Sequence, residues 1–215
     1  MPGSTQERVE LVVRTMAQTA LDNERYFGDL DAVMGDGDFG YSLARGFEKV
    51  LEGWDDIDRT DPGTFLKKVG MIVTSRIGGT SGPIWGTAFL KAGMTAGSAS
   101  SLGGDDLVAM LRAAVDGIKA RGKSDVGDKT LLDTLVPMTD RIEQELQAGA
   151  STADVVAAAA ATARESAEAT VDMVARRGRA SYTGERSRGS VDAGAMGVAV
   201  IVERIHEAWT QEDAR

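Results

Sequence analysis

Ten consecutive residues, "DAVMGDGDFG" at positions 31–40, contain three aspartates and three glycines. The carboxylates of Asp31, Asp36 and Asp38 repel one another unless a cation lies between them. Carboxylate oxygens are the ligands that Mg²⁺ and Ca²⁺ prefer in proteins. Because three such groups fall on one glycine-bearing loop, we predict a divalent-metal site with these three aspartates as its ligands.

Two other interpretations of this loop compete with a metal site. An EF-hand that began at Asp36 would place Gly40 at the third ligand position and Phe47 where the bidentate glutamate belongs, so an EF-hand is excluded. The aspartates also suit the start of a helix, where they would cap backbone N–H groups and face water. This second interpretation stays open, above all for Asp38.

Three further glycine-rich loops carry polar groups, and the first of these suits a phosphate. They are "RIGGTSGPIWG" at 76–86, "RGKSDVGDKT" at 121–130 and "RASYTGERSRGSVDAG" at 179–194. In the first of them, Thr80 and Ser81 offer hydroxyl groups at the start of a predicted helix. Backbone N–H groups and the helix dipole favour anions at such a position.

The last of these loops concentrates positive charge in an otherwise acidic chain. Either the arginines are ordinary solvated charges, or they form a clamp for phosphate opposite the carboxylates. The cluster consists of Arg176, Arg177, Arg179, Arg186 and Arg188.

Residues 117–124, "GIKARGKS", match the Walker A pattern letter for letter. That mechanism requires a strand before the loop and a helix directly after it. Here an amphipathic helix precedes the motif and "DVGD" follows it, so we reject a P-loop. In the adjacent "GDKTLLDTL", Asp128 and Thr130 are predicted to cap the next helix.

Hydrophobic periodicity predicts an all-α protein. In "ERVELVVRTMAQTALDNE", at 7–24, Val9, Val12, Val13 and Met16 recur on one helical face. Period-two alternation is missing, and no change of composition divides the chain, so we expect one domain over residues 1–215. Seven further helices are predicted at about 40–53, 62–77, 83–97, 104–121, 129–148, 151–177 and 193–211.

The order of helices and loops along the chain predicts that the polar loops lie at one end of the molecule. In an antiparallel bundle alternate loops emerge at the same end. The four polar loops follow the first, third, fifth and seventh predicted helices. We therefore expect all four to meet at one end of the bundle.

Composition excludes several classes of function. The chain has 215 residues, 42% of them hydrophobic, no cysteine, one histidine and a net charge of −9. Disulfides, thiolate metal sites and a histidine-rich zinc site are therefore excluded. The acidic balance argues against nucleic-acid binding. No apolar run suits a membrane span or a signal peptide, so we expect a cytoplasmic protein.

Carboxylates, helix N-termini, hydroxyls and arginines together are the groups that phosphoryl transfer requires. The residues alone therefore predict binding of nucleotide phosphates through Mg²⁺. A divalent-metal-binding regulatory module and a helical scaffold with plain turns remain alternatives.

The four loops, through "GDGDFG", "GGTSGP", "GDKT" and "RASYTGERS", resemble those of the DhaL family, the nucleotide-binding subunits of bacterial dihydroxyacetone kinases. The resemblance runs over essentially the whole chain. It implies a closed barrel of eight antiparallel helices that holds ADP or ATP and two Mg²⁺ ions at one end. By motif, Asp31, Asp36 and Asp38 would bind the metals. The nucleotide would contact Phe39, Gly40, Tyr41, Ser42, Thr80, Ser81, Gly122, Leu131, Arg179, Asp192, Ala193 and Gly194.

Departures from the family pattern concern phosphate contacts rather than metal ligands. Many members have histidine and asparagine where this chain has Phe39 and Ser42, and proline where it has Ala193. These changes bear on nucleotide exchange.

The family also implies partners. A DhaK-like subunit would hold dihydroxyacetone, and a DhaM-like phosphocarrier protein of the phosphotransferase system would rephosphorylate a retained ADP. An ATP-exchanging kinase for dihydroxyacetone or a related ketose is the alternative, and a homodimer is left open.

Overall fold

The structure is a computed structural model that describes residues 3–213. Within that range it contains nine α-helices and three short 3-10 segments. The 3-10 segments are Trp54–Asp56, Thr170–Asp172 and Arg179–Ser187. The α-helices are α1 (Thr5–Asp22), α2 (Glu24–Ala32), α3 (Phe39–Glu52), α4 (Pro62–Arg76), α5 (Ser81–Ala96), α6 (Gly104–Gly122), α7 (Leu132–Gln147), α8 (Thr152–Ala169) and α9 (Ala193–Asp213).

Local sequence signals explain where several helices begin. Ser4 and Glu7 form a capping box at the start of α1, in which Ser4 Oγ accepts from the Glu7 N–H. Asp61 caps α4 through the Thr64 N–H at 2.6 Å, directly before Pro62 at the first helical position. Ser151 caps α8 in the same way. The all-α prediction is confirmed.

The helices pack in a closed order. From α3 to α9 each helix packs against the next, α1 packs against α3, and α9 returns to α1. Eight helices therefore form a ring, which is the neighbour order that the predicted barrel requires. The remaining helix, α2, packs against α3 and α9 at the side of this ring.

A large apolar core fills the ring, and a smaller cluster of Ile84, Val115, Ile118 and Leu132 lies beside it. Fully buried members of the large core include Phe27, Leu43, Phe47 and Phe65. The Phe47 ring lies edge-on to the rings of Trp85 and Phe89, in the favourable geometry for aromatic pairs. The side chains of the large core come from positions 13 to 201.

Glycines let α4 and α5 approach very closely. A Cβ atom on Gly70 would lie 3.0 Å from the Gly86 carbonyl oxygen, and one on Gly86 would lie 2.9 Å from the Gly70 carbonyl oxygen. Both distances are shorter than nearly all real Cβ contacts and involve backbone atoms, so this crossing favours glycine at both positions. The crossing fixes the start of α5, which lines the site described below.

The structure differs from the predicted helices at three places. A separate α2 follows α1, because Asn23 leaves the helical conformation (φ −110°, ψ 15°) while its side-chain amide donates to the Thr19 carbonyl at 2.9 Å. Helix α8 ends at Ala169 rather than near 177. There the Thr170 hydroxyl donates to Ala167 O and accepts from the Asp192 N–H. Helix α7 begins at Leu132, because Lys129 has a φ of 61°.

Within residues 3–213, no helix combines the length and apolar character that crossing a membrane requires.

Candidate functional site

All four polar loops line one pocket of about 290 Å³. Its wall is formed by residues from the ranges 30–39, 78–85, 118–131 and 177–194. The prediction that these loops meet at one end is therefore confirmed. The volume is close to the lower limit of roughly 300 Å³ for small-molecule sites.

The three predicted metal ligands lie together at one side of the pocket. Oxygen atoms of Asp31, Asp36 and Asp38 lie within 4.8 Å of one another. Asp31 is partly buried at the end of α2, and its Oδ2 accepts a weak hydrogen bond of 3.4 Å from the Phe39 N–H. Asp36 and Asp38 are exposed. Asp38 occupies the N-cap position of α3, but among the described residues its side chain caps no N–H of that helix.

Arg179 faces this carboxylate cluster. Its Nη1 contacts the Asp36 carboxylate and lies 3.7 Å from Asp38 Oδ2. The guanidinium group thus occupies a position where the local charge favours a cation. The structure brings Arg179 and the aspartate loop together, although about 140 residues separate them in the sequence.

The carboxylate cluster fits Mg²⁺. Two ligand oxygens on opposite sides of one Mg²⁺ lie about 4 Å apart, because each Mg–O bond is about 2.0–2.1 Å long. The largest separation in the cluster exceeds this by less than 1 Å. Asp36 and Asp38 are exposed and lie on a loop with glycines at 35 and 37, so their carboxylates have room to move the remaining distance toward a metal ion.

The start of α5 offers free donors to the pocket. Gly79 has a φ of 62°, which turns the chain into the helix, and Thr80 occupies the N-cap position. In the described part of the chain, no Thr80 side-chain bond caps α5. The first-turn N–H groups and the hydroxyls of Thr80 and Ser81 are therefore available to an anion at this wall.

The loop before α7 is held by residues that the sequence analysis did not single out. Buried Asp133 accepts from the N–H groups of Gly127 at 2.5 Å and Thr130 at 2.7 Å. Asp128, predicted as a cap for this helix, instead accepts from the Asp125 N–H and the Arg177 guanidinium. Thr130 does cap, through the Leu132 N–H at 3.2 Å. Gly122 and Leu131 line the pocket as expected.

Asp192 begins α9 at the opposite wall. Its Oδ2 accepts from the Ala195 N–H at 2.8 Å, so the side chain caps the helix. Burial, with a smaller contribution from the Asp133 carboxylate, raises the pKa of Asp192 to about 6, against the lowering effect of the Ala195 hydrogen bond and Lys129. Ala193 and Gly194 also line the pocket.

The first turn of α3 only partly matches the predicted contacts. Phe39 lines the pocket, but its ring is buried against Phe27, so the backbone N–H is the group it offers. The Ser42 hydroxyl faces Gly78, since a Cβ at Gly78 would lie 3.6 Å from Ser42 Oγ. Gly40, Tyr41 and Ser42 are outside the described pocket wall. Gly40 packs against the backbone of α2. The Tyr41 ring is exposed, and its centre lies 5.5 Å from the Arg45 guanidinium.

Comparison with known proteins decides the family. Residues 33–207 match the family described as the DAK2 domain. The chain belongs to the DAK2 family. It is 39% identical over 180 residues to the PEP-dependent dihydroxyacetone kinase, ADP-binding subunit DhaL, of Escherichia coli (84% of this chain and 86% of that protein). The sequence-based assignment to DhaL-type kinase subunits is confirmed at the level of the family.

Other DAK2 relatives are longer. The L-erythrulose 1-kinase of Mycolicibacterium smegmatis is 36% identical over 202 residues, which are 93% of this chain but 35% of that protein. The crystal structure of the dihydroxyacetone kinase of C. freundii has a TM-score of 0.76 at 23% identity. It covers 97% of this chain and 35% of its own, so this chain spans about a third of its length. At that identity the likeness shows the fold.

Proposed function

We propose that this chain is the nucleotide-binding subunit of a dihydroxyacetone kinase. One observation carries the proposal: a single pocket joins a carboxylate cluster, the open N-terminus of α5 and the Arg179 guanidinium. Relatives at 36–39% identity are named as kinases or kinase subunits, and a structural neighbour of the same fold is a kinase complex with AMP-PNP and Mg²⁺.

We assign the metal to Asp31, Asp36 and Asp38, with two Mg²⁺ ions as the full complement. The three carboxylates would hold the metal, which would supply positive charge against the phosphates of a nucleotide. Arg179 would exchange its contact with Asp36 for one with phosphate. Arginine suits this role because its planar group donates to two phosphate oxygens at once.

We assign the nucleotide to the remaining walls. The N–H groups at the starts of α3 and α5, with the hydroxyls of Ser42, Thr80 and Ser81, would bind the phosphates. Gly122 and Leu131 would contact the nucleoside, and Asp192–Gly194 would close the pocket. We place the contribution of Gly40 in the packing of α2 on α3 rather than in a phosphate contact.

The sugar and the phosphate donor belong to other proteins in this proposal. We propose that a DhaK-like subunit holds dihydroxyacetone. A DhaM-like phosphocarrier protein would then rephosphorylate ADP that stays bound. Names of relatives such as "PTS-dependent dihydroxyacetone kinase, ADP-binding subunit DhaL" of Lactococcus lactis support this assignment. The one histidine of the sequence, His206, is absent from the described pocket wall, so we place no covalent sugar contact on this chain.

An ATP-exchanging kinase for a related ketose is the second candidate. The 36% identity to an L-erythrulose 1-kinase favours it, since that relative contains a similar domain within a longer chain. A regulatory metal module is less well supported, because it requires neither Arg179 nor the open start of α5 in the pocket.

The first test is to find what the purified chain carries. The protein is purified without added nucleotide and denatured, and the released small molecules are separated by anion exchange. Stoichiometric ADP would support retention of the nucleotide as a cofactor. An empty protein that binds Mg·ATP in a titration would favour the exchanging kinase, and one that binds neither nucleotide would overturn the proposal.

The second test replaces one metal ligand. Asp36→Ala is expected to abolish Mg²⁺-dependent ADP binding while the circular-dichroism spectrum stays helical, because Asp36 is exposed. Asp29→Ala is the matched control, since Asp29 lies on α2 in an exposed ion pair with Arg25. Unchanged ADP affinity in Asp36→Ala would contradict the metal assignment.

A further inference from the structure

Lys129 is a buried cation that makes no ion pair with a carboxylate among residues 3–213. Its exposed fraction is 3%. The ammonium group donates to three backbone carbonyls: Met173 O at 3.2 Å, Ser190 O at 2.7 Å, and Ser187 O. An ammonium group has three donors, so all of them are used. Burial lowers the pKa of Lys129, against the opposing effect of Asp192.

The three carbonyls lie on both sides of the arginine-rich segment. We define this segment as residues 174–186. Met173 directly precedes it, whereas Ser187 and Ser190 follow it. Lys129 therefore joins the two ends of the segment from a different part of the chain. The Ser187 hydroxyl adds a second link, because it accepts from the Ala175 N–H at 2.8 Å and donates to Gly184 O at 2.6 Å.

The middle of the arginine-rich segment, between its two ends, is exposed and makes weaker contacts than the ends do. Tyr182 is 90% exposed. Thr183 makes a long hydroxyl contact of 3.7 Å with Met34 Sδ on the aspartate loop. Arg179 contacts the exposed carboxylates described above. Exposed ion pairs of this kind contribute little by themselves. A backbone bond from the Arg176 N–H to Asp128 O also holds the start of the segment, so the position of Arg179 over the pocket depends on this bond together with the buried links at the ends of the segment.

We propose that Lys129 is a positioning residue, which holds both ends of the arginine-rich segment so that Arg179 lies over the phosphates and bound nucleotide is released slowly. The inference rests on the proposed function, since it concerns the same pocket. Lys129 lines the pocket, but backbone carbonyls use its three N–H donors, so we place its effect on the nucleotide through Arg179. A neutral side chain would leave three carbonyls without their donor and free the segment to move.

The test is a double-mutant cycle on nucleotide release. Lys129→Met and Arg179→Gln are made singly and together, and release of radiolabelled ADP is followed after a chase with unlabelled ADP in Mg²⁺. Each single variant is expected to release ADP about tenfold faster than the unmodified protein. The double variant is expected to match Arg179→Gln, because a displaced segment no longer presents Arg179.

Several results would overturn the inference. One is release from Lys129→Met at the unmodified rate, and another is a double variant whose acceleration is the product of the two single effects. A general loss of stability would produce that product. Lys49→Met is the matched control, since Lys49 forms an exposed ion pair with Glu52 on α3 and is outside the pocket wall. Its release rate is expected to stay unchanged.

A milder variant covers the case in which Lys129→Met does not fold. Ser187→Ala removes the hydroxyl link but leaves the Ser187 carbonyl for Lys129. We expect faster ADP release from it and again no further acceleration when Arg179→Gln is added; an unchanged rate would overturn the inference. If the unmodified protein shows no Mg²⁺-dependent ADP binding, the proposed function itself fails, which distinguishes the two failures.

Discussion

At the residue scale, the main feature is the contact between Arg179 and two of the predicted metal ligands. A guanidinium group and Mg²⁺ compete for the same carboxylate oxygens, since either cation relieves their repulsion. Arg179 also faces the region where we place the phosphates. We therefore expect Arg179 to weaken the binding of metal alone and to strengthen the binding of metal together with nucleotide.

Replacing Arg179 separates these two effects. In Arg179→Gln we expect Mn²⁺ without nucleotide to bind about two- to fivefold more tightly, because an exposed competing ion pair is gone. Mg·ADP is expected to bind more weakly, because a phosphate contact is lost. Isothermal titration calorimetry measures both affinities.

Arg186→Gln is the matched control for Arg179→Gln, since it removes the same charge from the same segment. Unchanged Mn²⁺ affinity in Arg179→Gln, or an equal increase in the control, would show that the local contact has no such role.

The raised pKa of Asp192 makes the free energy of unfolding depend on pH. Its pKa of about 6 lies above the value of about 3.9 for an unfolded chain. The folded protein therefore holds this proton more tightly. The resulting stabilisation is complete below about pH 4 and is lost as the pH rises through 6.

The measurement compares the unmodified protein with Asp192→Asn by urea unfolding between pH 4 and 7. The free energy of unfolding of the unmodified protein, relative to the variant, should fall by about 1–3 kcal/mol over this range. Asp29→Asn, at an exposed position, should show no comparable difference from the unmodified protein. A constant difference between the unmodified protein and Asp192→Asn would refute the raised pKa.

Residue type and spacing were sufficient to predict the aspartate cluster, because its three members lie within eight positions. They were insufficient for Lys129 and Asp133. Both look like ordinary polar residues at the start of a helix, and the partners of Lys129 lie 44 to 61 positions away. Burial of a lysine against distant carbonyls leaves no local signal in the sequence.

At the element scale, the helix starts determine the site. Helices α3, α5, α7 and α9 all begin at the pocket, so their positive ends face it together. The sequence predicted most helices through their hydrophobic period and caps. It missed the break at Asn23 and the early end of α8, since both depend on hydrogen bonds that compete locally with a continuing helix.

Gly40 tests the packing of α2 on α3. A Cβ there would overlap the Glu24 carbonyl and lie 2.6 Å from the Gly28 nitrogen, both of them backbone atoms that cannot move alone. We expect Gly40→Ala to lower the free energy of unfolding by about 1–3 kcal/mol. Urea unfolding monitored by circular dichroism measures this change.

Gly53→Ala is the control for Gly40→Ala. Gly53 has a φ of −92°, and the nearest atom to a Cβ there lies at 3.5 Å, so alanine fits. Equal stability of the two variants would contradict the close approach of α2.

At the scale of the whole molecule, the four polar loops that line the pocket lie at one end of a closed ring of helices. The order of loops along the chain was sufficient to predict this arrangement, even though one helix was missed. The shape of the pocket was not predictable, because it depends on how far each loop extends over the ring.

Ligand binding across four loops should stabilise the whole fold. At ADP concentrations about 100 times the dissociation constant, with Mg²⁺, the gain is about 2.7 kcal/mol. For a chain of this size we expect the melting temperature to rise by about 5–10 °C. Differential scanning calorimetry measures this shift, and chelation of Mg²⁺ should remove it. A full shift in Asp36→Ala would argue against the proposed metal site.

The position of Trp85 provides an intrinsic optical signal. Its indole is 7% exposed and lines the pocket, whereas Trp54 is stacked with Arg14 in the core, 4.3 Å from that guanidinium. A nucleotide that enters the pocket changes the polarity around Trp85, whereas Trp54 and Trp209, the other tryptophans of the chain, are outside the described pocket wall. Tryptophan fluorescence should therefore report occupancy of the unlabelled protein in real time, and Trp85→Phe should abolish that response.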